Sequence, residues 1–343
     1  MIDLLPSVEQ QQIVDSVSSL LSDAAPVSRL RKKSGVRDEM SMWSSIANLG
    51  CFGLGMPEVV GGVGATIAEE MLVFREFGRF LLSPTFLSTT IAAHIAGMCG
   101  KQEIATRFIA GDAVAAFALP MTEMNGDPTL EQEFALIDSD NADYCIIVGA
   151  GRASVHHVGD FAAVCVRQPL DDAVSLKTAS LVASNPVAYV DDKKGQIGRK
   201  VLLLVTAMMV GIAEASRDMA SNYAKVREQF GKPIGTFQAI KHSCADAAVH
   251  AEAALCQTIY AALRERDRRP DAIFQANAAY LIALAAARRN TSANIQIHGG
   301  FGFTAECDAH FFLKRCNLLE QIIGSTRLRL AALMDEKSPD YAG

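Results

Sequence analysis

The chain has 343 residues, 50% of them hydrophobic and 20% charged, with a formal net charge of −6 at pH 7. That length accommodates two or three packed units, and an acidic balance without a sustained basic stripe argues against a nucleic-acid partner. The opening MIDLLPSVEQQQ lacks a basic patch followed by an apolar core, and the longest apolar run, Val201 to Ala213, is too short to span a bilayer. No membrane association is expected, and the chain reads as cytoplasmic.

Residues 1–112 read mostly as helix, because apolar positions recur at three and four in VDSVSSLLSDA, MWSSIANLG and IAEEMLVFREFGRFL. The basic RLRKK, Arg29 to Lys33, reads as a solvated helix end. The glycines of PEVVGGVGA, Pro57 to Ala65, are followed by no Lys-Ser/Thr and fit no strand-glycine-helix fingerprint, so they read as an interhelix turn.

Residues 113–195 change character. AVAAFALP, ADYCIIVGA, SVHHV, FAAVCVRQ and VAYV are short, β-branched and bounded by turn formers, which predicts a small all-β unit. Residues 196–343 return to helix. Val201, Val205, Met208, Ile212, Ala215, Met219, Tyr223 and Val226 form one stripe spaced by four and three, and segments 238–266 and 272–298 behave alike. Long helices of this kind predict an antiparallel bundle, with the tail DEKSPDYAG frayed.

The eight cysteines form no CxxC pair and read as buried small hydrophobes in a reducing compartment. The seven histidines show no HExxH or Cys/His spacing, and no metal is expected.

Arg227 to Asp246, REQFGKPIGTFQAIKHSCAD, joins a basic-aromatic-glycine turn to the start of a long helix. QIHGGFGF follows at Gln296 to Phe303, and FGLGMPEVVGGVGATIAEEMLVFREFGR precedes both. These three stretches resemble, in order, segments of the acyl-CoA dehydrogenase family, with Pro57, Gly61, Gly62 and Glu76 to Arg79 matching in the N-terminal one. The resemblance implies removal of two hydrogens from the Cα–Cβ bond of an acyl-CoA substrate, using FAD and a carboxylate base. It also implies a mainly α fold with a small β-domain: an N-terminal helical domain (1–112), a shortened middle β-barrel (113–195) and a C-terminal antiparallel helix bundle (196–343).

On this resemblance Arg227, Gln229 and Phe230 contact the ADP half of FAD, Phe237 and Gln238 supply the pair that follows, and the turn serves a neighbouring subunit's flavin. Gln296, Gly299 and Gly300 match positions whose backbone approaches the same ADP moiety, where a Cβ would obstruct. A pyrophosphate seeks positive charge and backbone amides, and adenine a flat apolar partner, so the residue types suit the task. Taken singly, Arg227 reads equally as a helix-end charge, Phe230 as core, and Gly299-Gly300 as a helix C-cap.

Two family motifs are missing. KRCNLLEQIIGST, aligned without gaps to the family's late segment, puts Gly324 where the catalytic glutamate normally precedes Gly-Thr. The earlier bundle-helix site used by some members falls at Asp267, whose neighbours Arg264, Arg266, Arg268 and Arg269 make it look like a charged helix end; Glu320 is a weaker candidate base. In the β-unit, ALPMTEMNGDPTL keeps Thr122-Glu123 and Gly126-Asp127 of a TEPxxGSD-like motif but lacks its Pro and Ser. The pattern resembles the smaller, base-lacking subunit of the heteromeric (α2β2) acyl-CoA dehydrogenases known from actinobacteria, which act on CoA-activated steroid side chains. A homologous partner subunit in a heterotetramer then supplies the glutamate, and an electron-transfer flavoprotein is a further partner to consider. Two readings stay open beside it: a self-sufficient homo-oligomeric dehydrogenase with an unusual base, and a non-catalytic relative.

Overall fold

A computed structural model describes residues 4–31, 35–122, 131–149, 151–182, 185–324 and 326–335. Five helices precede the strands: α1 (Val8–Ala24), α2 (Gly35–Asn48), α3 (Ile67–Arg79), α4 (Pro84–Met98) and α5 (Gln102–Ile109). α1 starts at a reciprocal cap, in which the Ser7 hydroxyl accepts from the Gln10 amide and the Gln10 side chain accepts from the Ser7 amide. PEVVGGVGA is indeed a turn between α2 and α3. Gly62 is required there, because a Cβ would overlap the Met56 backbone.

Seven strands follow: β1 (Ala115–Pro120), β2 (Glu133–Ile137), β3 (Tyr144–Gly149), β4 (Arg152–His157), β5 (Phe161–Arg167), β6 (Leu176–Leu181) and β7 (Ala188–Asp191). They form one sheet in the order β5-β6-β2-β1-β3-β4-β7. Only the β1–β3 pair is parallel, with Ala115 opposite Tyr144. Phe134, Leu136, Ile147, Phe161 and Leu181 fill one buried cluster against it. β2 and β6 are the strands that the sequence pattern does not mark; β6, LKTASL, has a single β-branched residue.

The chain then forms α6 (Gln196–Val226), a hairpin of β8 (Glu228–Gln229) and β9 (Lys232–Pro233), α7 (Gln238–Arg266), α8 (Ala272–His298), α9 (Ala309–Ile323) and α10 (Thr326–Asp335). α7 and α8 occupy the predicted segments. The predicted frayed tail lies, from Glu336 onward, outside the described residues. α6 continues well past the apolar run and is long and apolar enough to cross a membrane by length and composition, yet 78% of its most apolar stretch is buried inside the fold, as in a core helix.

Two compact units emerge, one of residues 1–32, 71–81 and 202–343, the other of 33–70 and 82–201. The first holds most of α6. From Val201 to Glu214 that helix is buried on every side, so no stripe exists there; beyond it the buried line is Ser216, Ala220 and Ala224, one place later than the predicted Ala215, Met219 and Tyr223. α3 crosses α6 at two glycines: a Cβ on Gly78 would overlap the Met208 carbonyl, and one on Gly211 the Arg75 carbonyl. Arg75 and Arg79 reach Glu214 at 2.7 and 3.2 Å beside this crossing.

The described part of RLRKK, Arg29 to Arg31, is not a solvated helix end, and Lys32 and Lys33 lie outside the described residues. Arg29 is buried and donates to the carbonyls of Ala25, Phe80 and Leu81 at 2.9, 2.9 and 3.1 Å, while Arg31 pairs with Asp308 at 2.6 Å. Nor are the cysteines uniformly buried: Cys51, Cys145, Cys307 and Cys316 are, whereas Cys165 is exposed on β5. Burial pushes the Cys51 thiol up to about 12.

The second unit packs the sheet against α4, which is buried from Pro84 to Ala96. Ser88 donates to the Ala115 carbonyl at 2.5 Å and Thr89 accepts its amide at 3.0 Å, which fixes α4 on β1. Fully buried Glu70 accepts from His94 at 2.8 Å and pairs with Lys200. Gly55 leaves the space for that carboxylate. Burial alone would raise the Glu70 pKa, but Lys200 and His94 outweigh it and hold the group at about 2. Removing one partner of such a buried pair typically costs about 3–5 kcal/mol, because the other charge is left uncompensated. Lys200→Met is therefore expected to lower unfolding stability by about that amount at pH 7. With the folded pKa below that of the unfolded chain, the gap from wild type should hold above about pH 4.5 and shrink as the pH falls towards 2. Urea midpoints measured across pH 7 to 3 check both; a gap that ignores acid would mean Glu70 is not the group being stabilised.

Candidate functional site

α6 and α8 run parallel. Contacts between them advance together along both chains: Asn290 donates to the Ala213 carbonyl at 3.1 Å, Asn294 to the Met219 sulfur at 3.4 Å, and the rings of Tyr223 and His298 stack at 4.0 Å. Both helices consequently end at the same place, and the two sequence-predicted turns leave them side by side.

The first turn is the β8–β9 hairpin. Gln229 pairs with Lys232 across a two-residue tip, Phe230-Gly231, whose φ values of 55° and 73° both lie in the left-handed region. That is the backbone of a type I′ turn, unusual for phenylalanine. It leaves the Phe230 side chain 92% exposed, so Phe230 is not a core residue. The Ile234 amide closes the hairpin on the Arg227 carbonyl at 2.8 Å. The Arg227 side chain is exposed and has no partner among the described residues.

The second turn ends α8. Gly299 has φ 62° and ψ −144°, a conformation that favours glycine, and its amide bonds the Gln296 carbonyl. A Cβ on Gly299 or Gly300 would meet nothing within 4 Å. Packing within the chain therefore gives no reason for Gly300; the space beside it is open.

Between the turns lies a cleft of about 610 Å³. Arg227, Gln229, Gly299 and Gly300 line it together. Phe230, Phe237, Gln238 and Gln296 do not line it. Phe237 instead packs edge-on to Phe230 at 6.1 Å under the Lys232 ammonium, and exposed Gln238 opens α7. Gln296 is exposed on the last turn of α8. Sequence reasoning missed Tyr223, Ile234, Ile297, His298 and Phe301, which complete the wall. His298 sits inside the QIHGG segment, and Tyr223 was assigned to the buried stripe; both signals were present and were read as framework.

The arrangement offers an uncommitted guanidinium, a carboxamide, glycine backbone free of side-chain cover and a stacked aromatic wall. These are the contacts that the pyrophosphate and ring of an ADP-containing ligand require. The residues fit the ADP half of FAD; they include no carboxylate.

The candidate bases lie elsewhere. Gly324 ends α9 with φ 89° and ψ −177°, and its amide bonds the Glu320 carbonyl at 3.0 Å. Glu320 is mostly buried and accepts from Arg288 and, at 3.0 Å, from Thr326. Asp267 caps α7 in solvent, 2.7 Å from Arg266, whose hydrogen bond holds the carboxyl below its ordinary range. That makes it a weak proton acceptor. Of the β-unit motif, Glu123, Gly126 and Asp127 lie outside the described residues.

Residues 7–113 match the acyl-CoA dehydrogenase N-terminal domain and residues 203–336 the acyl-CoA dehydrogenase C-terminal domain. Acyl-CoA dehydrogenase IpdE2 of Mycobacterium tuberculosis is 30% identical over 340 residues, which cover 97% of this chain and 98% of that one. Among solved structures, the ChsE4-ChsE5 complex from Mycobacterium tuberculosis is similar with a TM-score of 0.81 at 20% identity, covering 98% of this chain and 100% of that one. A variant of the Tcur3481-Tcur3483 steroid acyl-CoA dehydrogenase is similar with a TM-score of 0.82, also at 20% identity, covering 95% and 97%. At those identities the structural likeness speaks for the fold. Together with the two domain matches and the near full-length relative, it places the chain in the acyl-CoA dehydrogenase family, FAD-dependent oxidoreductases that act on the CH–CH bond of acyl-CoA.

Proposed function

We propose that this chain is the smaller, base-lacking subunit of a heteromeric α2β2 acyl-CoA dehydrogenase acting on a steroid side-chain CoA ester. It contributes the ADP-holding cleft, and a homologous partner contributes the catalytic glutamate. The carrying observation is Gly324. Its φ and ψ fall in a region used essentially by glycine alone, so the backbone at the aligned base position is itself incompatible with a glutamate. The two remaining carboxylates do not compensate: Glu320 is held by Arg288 and Thr326, and Asp267 is in solvent beside Arg266. Exposed Phe230, Phe301 and Phe303, at 92%, 45% and 75%, provide apolar surface next to the cleft for a second subunit to cover. Similarity to the two-component ChsE4-ChsE5 complex and to the Tcur3481-Tcur3483 steroid acyl-CoA dehydrogenase supports the same reading.

Within such an assembly Arg227 pairs with the pyrophosphate, Gln229 hydrogen-bonds beside it, and Gly299-Gly300 let the ligand approach the backbone. Bound flavin would supply the hydride acceptor for Cβ of the acyl group. The α-proton goes to the partner's carboxylate, and an electron-transfer flavoprotein is the class of acceptor that re-oxidises the assembly.

Three measurements test this. Co-expression with a full-length homologue should give FAD and acyl-CoA oxidation that neither chain shows alone; a soluble monomer of this chain that binds FAD tightly and turns over by itself would sink the proposal. A charge-assisted contact is worth about 1.5–3 kcal/mol, so Arg227→Ala should lower the FAD content of the assembly, read from the flavin-to-chain ratio, by about tenfold or more. Gly324→Glu should lose about 1–3 kcal/mol of stability from backbone strain and gain no turnover, whereas Asp267→Asn should leave turnover nearly intact. A large fall with Asp267→Asn would make this chain the catalyst.

A further inference from the structure

Three polar atoms in the middle of the helix bundle have no hydrogen-bond partner among the described residues: Ser216 Oγ on α6, and Asn290 Oδ1 and Asn294 Oδ1 on α8. The three residues are buried, at 0%, 1% and 0% exposure. Contacts between the two helices place them together. Asn290 reaches the Ala213 carbonyl and Asn294 the Met219 sulfur, and Ser216 is three residues from each of those α6 positions. At about 1.5 Å and 100° per residue, it lies midway between them along the helix and bisects the angle of about 120° that separates them. Its side chain therefore faces α8 between the two asparagines. Chemistry settles the amide orientations, since Asn290 Nδ2 donates to two carbonyls and Asn294 Nδ2 to a thioether, none of which can donate. Both amide oxygens are left as acceptors.

We infer that these atoms form a binding site for one buried water molecule, which donates its two hydrogens to Asn290 Oδ1 and Asn294 Oδ1 and accepts from the Ser216 hydroxyl. Counting hydrogens excludes direct pairing: two acceptors need a donor, and the single hydroxyl hydrogen can serve only one of them. An unmet acceptor at this depth is costly, and a buried water typically makes about three hydrogen bonds to such groups. A cation fits less well, because hard cations take about six or more oxygens and the site offers three neutral ones. Small neighbours leave room, since Ala213 and Ala220 on α6 and Ala247 on α7 are the buried residues beside it. The water ties α6 to α8 one turn below the cleft, where the Asn294 carbonyl accepts from His298 Nδ1 at 2.8 Å.

A crystal structure of the full chain, alone or in its co-purified assembly, at a resolution that shows ordered waters tests this without any substitution. One oxygen-sized density peak is expected about 2.7–3.2 Å from all three atoms. No such peak overturns the inference, wherever the Ser216 hydroxyl then turns. Crystals soaked in rubidium chloride should show no anomalous signal at that position; a signal makes it a cation site and overturns the water. In solution, Ser216→Ala and Asn294→Ala should each raise the urea-unfolding equilibrium constant about fivefold or more, because each leaves the water one partner short. Combined, they should raise it by clearly less than the product of the two effects, since the second substitution acts on a water already poorly held. Effects that multiply in full mean that the two side chains share no ligand, which overturns the site as well.

Discussion

A single buried carboxamide sets the register on which the cleft depends. Asn290, 1% exposed in the middle of α8, donates to the Ala213 carbonyl of α6 at 3.1 Å and to the Ala247 carbonyl of α7 at 2.9 Å. An NH2 group without acceptors in such surroundings is costly, so the three helices are more stable in the sliding position that pairs both of its hydrogens, although the Asn290 Oδ1 is left without a partner among the described residues. Apolar contacts among alanines and leucines would tolerate a shift by a turn; this bond does not. Once Ala213 is opposite Asn290, the parallel course of α6 and α8 brings Tyr223 opposite His298. The Arg227 and Gly299 turns then follow from the lengths of the two helices beyond the lock.

That arrangement has an electrostatic cost. Both α6 and α8 point their C-terminal ends at the cleft, and helix C-termini carry partial negative charge that opposes an anion. Helix N-termini are the usual anion sites, and none of the lining residues begins an α-helix; Ile234 and Gly299 open only short 3-10 turns. The positive charge must therefore come from a side chain, and Arg227 is the only cationic residue in the lining. Its guanidinium has no carboxylate partner among the described residues, in contrast with Arg75, Arg79, Arg264 and Arg288, each engaged by an acidic residue. A helix-end charge without function would be expected to lie along the C-terminal carbonyls; the position of Arg227 at the root of a tight hairpin holds it against the cleft instead.

The legible part of the sequence was the part where one local rule dominates. α7 and α8 fill the predicted segments because their helical periodicity runs unbroken between a turn and a proline on one side and glycines on the other. The REQFGKP and QIHGGFGF stretches were paired by their resemblance, in the same order, to segments of the acyl-CoA dehydrogenase family. What could not be read was decided by tertiary contacts. β6 becomes a strand through pairing with β2 and β5, although LKTASL carries little strand preference. Along α6 the buried face is set by what packs on each side, so the apparent stripe fails where the helix is enclosed and slips by one residue where it emerges. Arg29 reads as solvated because nothing local announces that Phe80 and Leu81 present carbonyls to it. Phe230, Phe237, Gln238 and Gln296 were chosen by resemblance; within one chain they sit outside the cleft.

The glycines show how absence of chemistry can be told from loss of packing. At Gly78 and Gly211 the missing Cβ is explained inside the chain, by backbone from the crossing helix. At Gly300 it is not: a Cβ there would meet nothing within 4 Å, so packing within the chain gives no account of the glycine. Gly324 is a third case, with open space around it but a backbone conformation that side chains rarely adopt. A glutamate simply replaced by glycine would leave helical or extended dihedrals behind. Dihedrals available mainly to glycine mean that a glutamate side chain at Gly324 would strain the backbone there, so placing a carboxylate at this position takes a change of backbone as well as of residue.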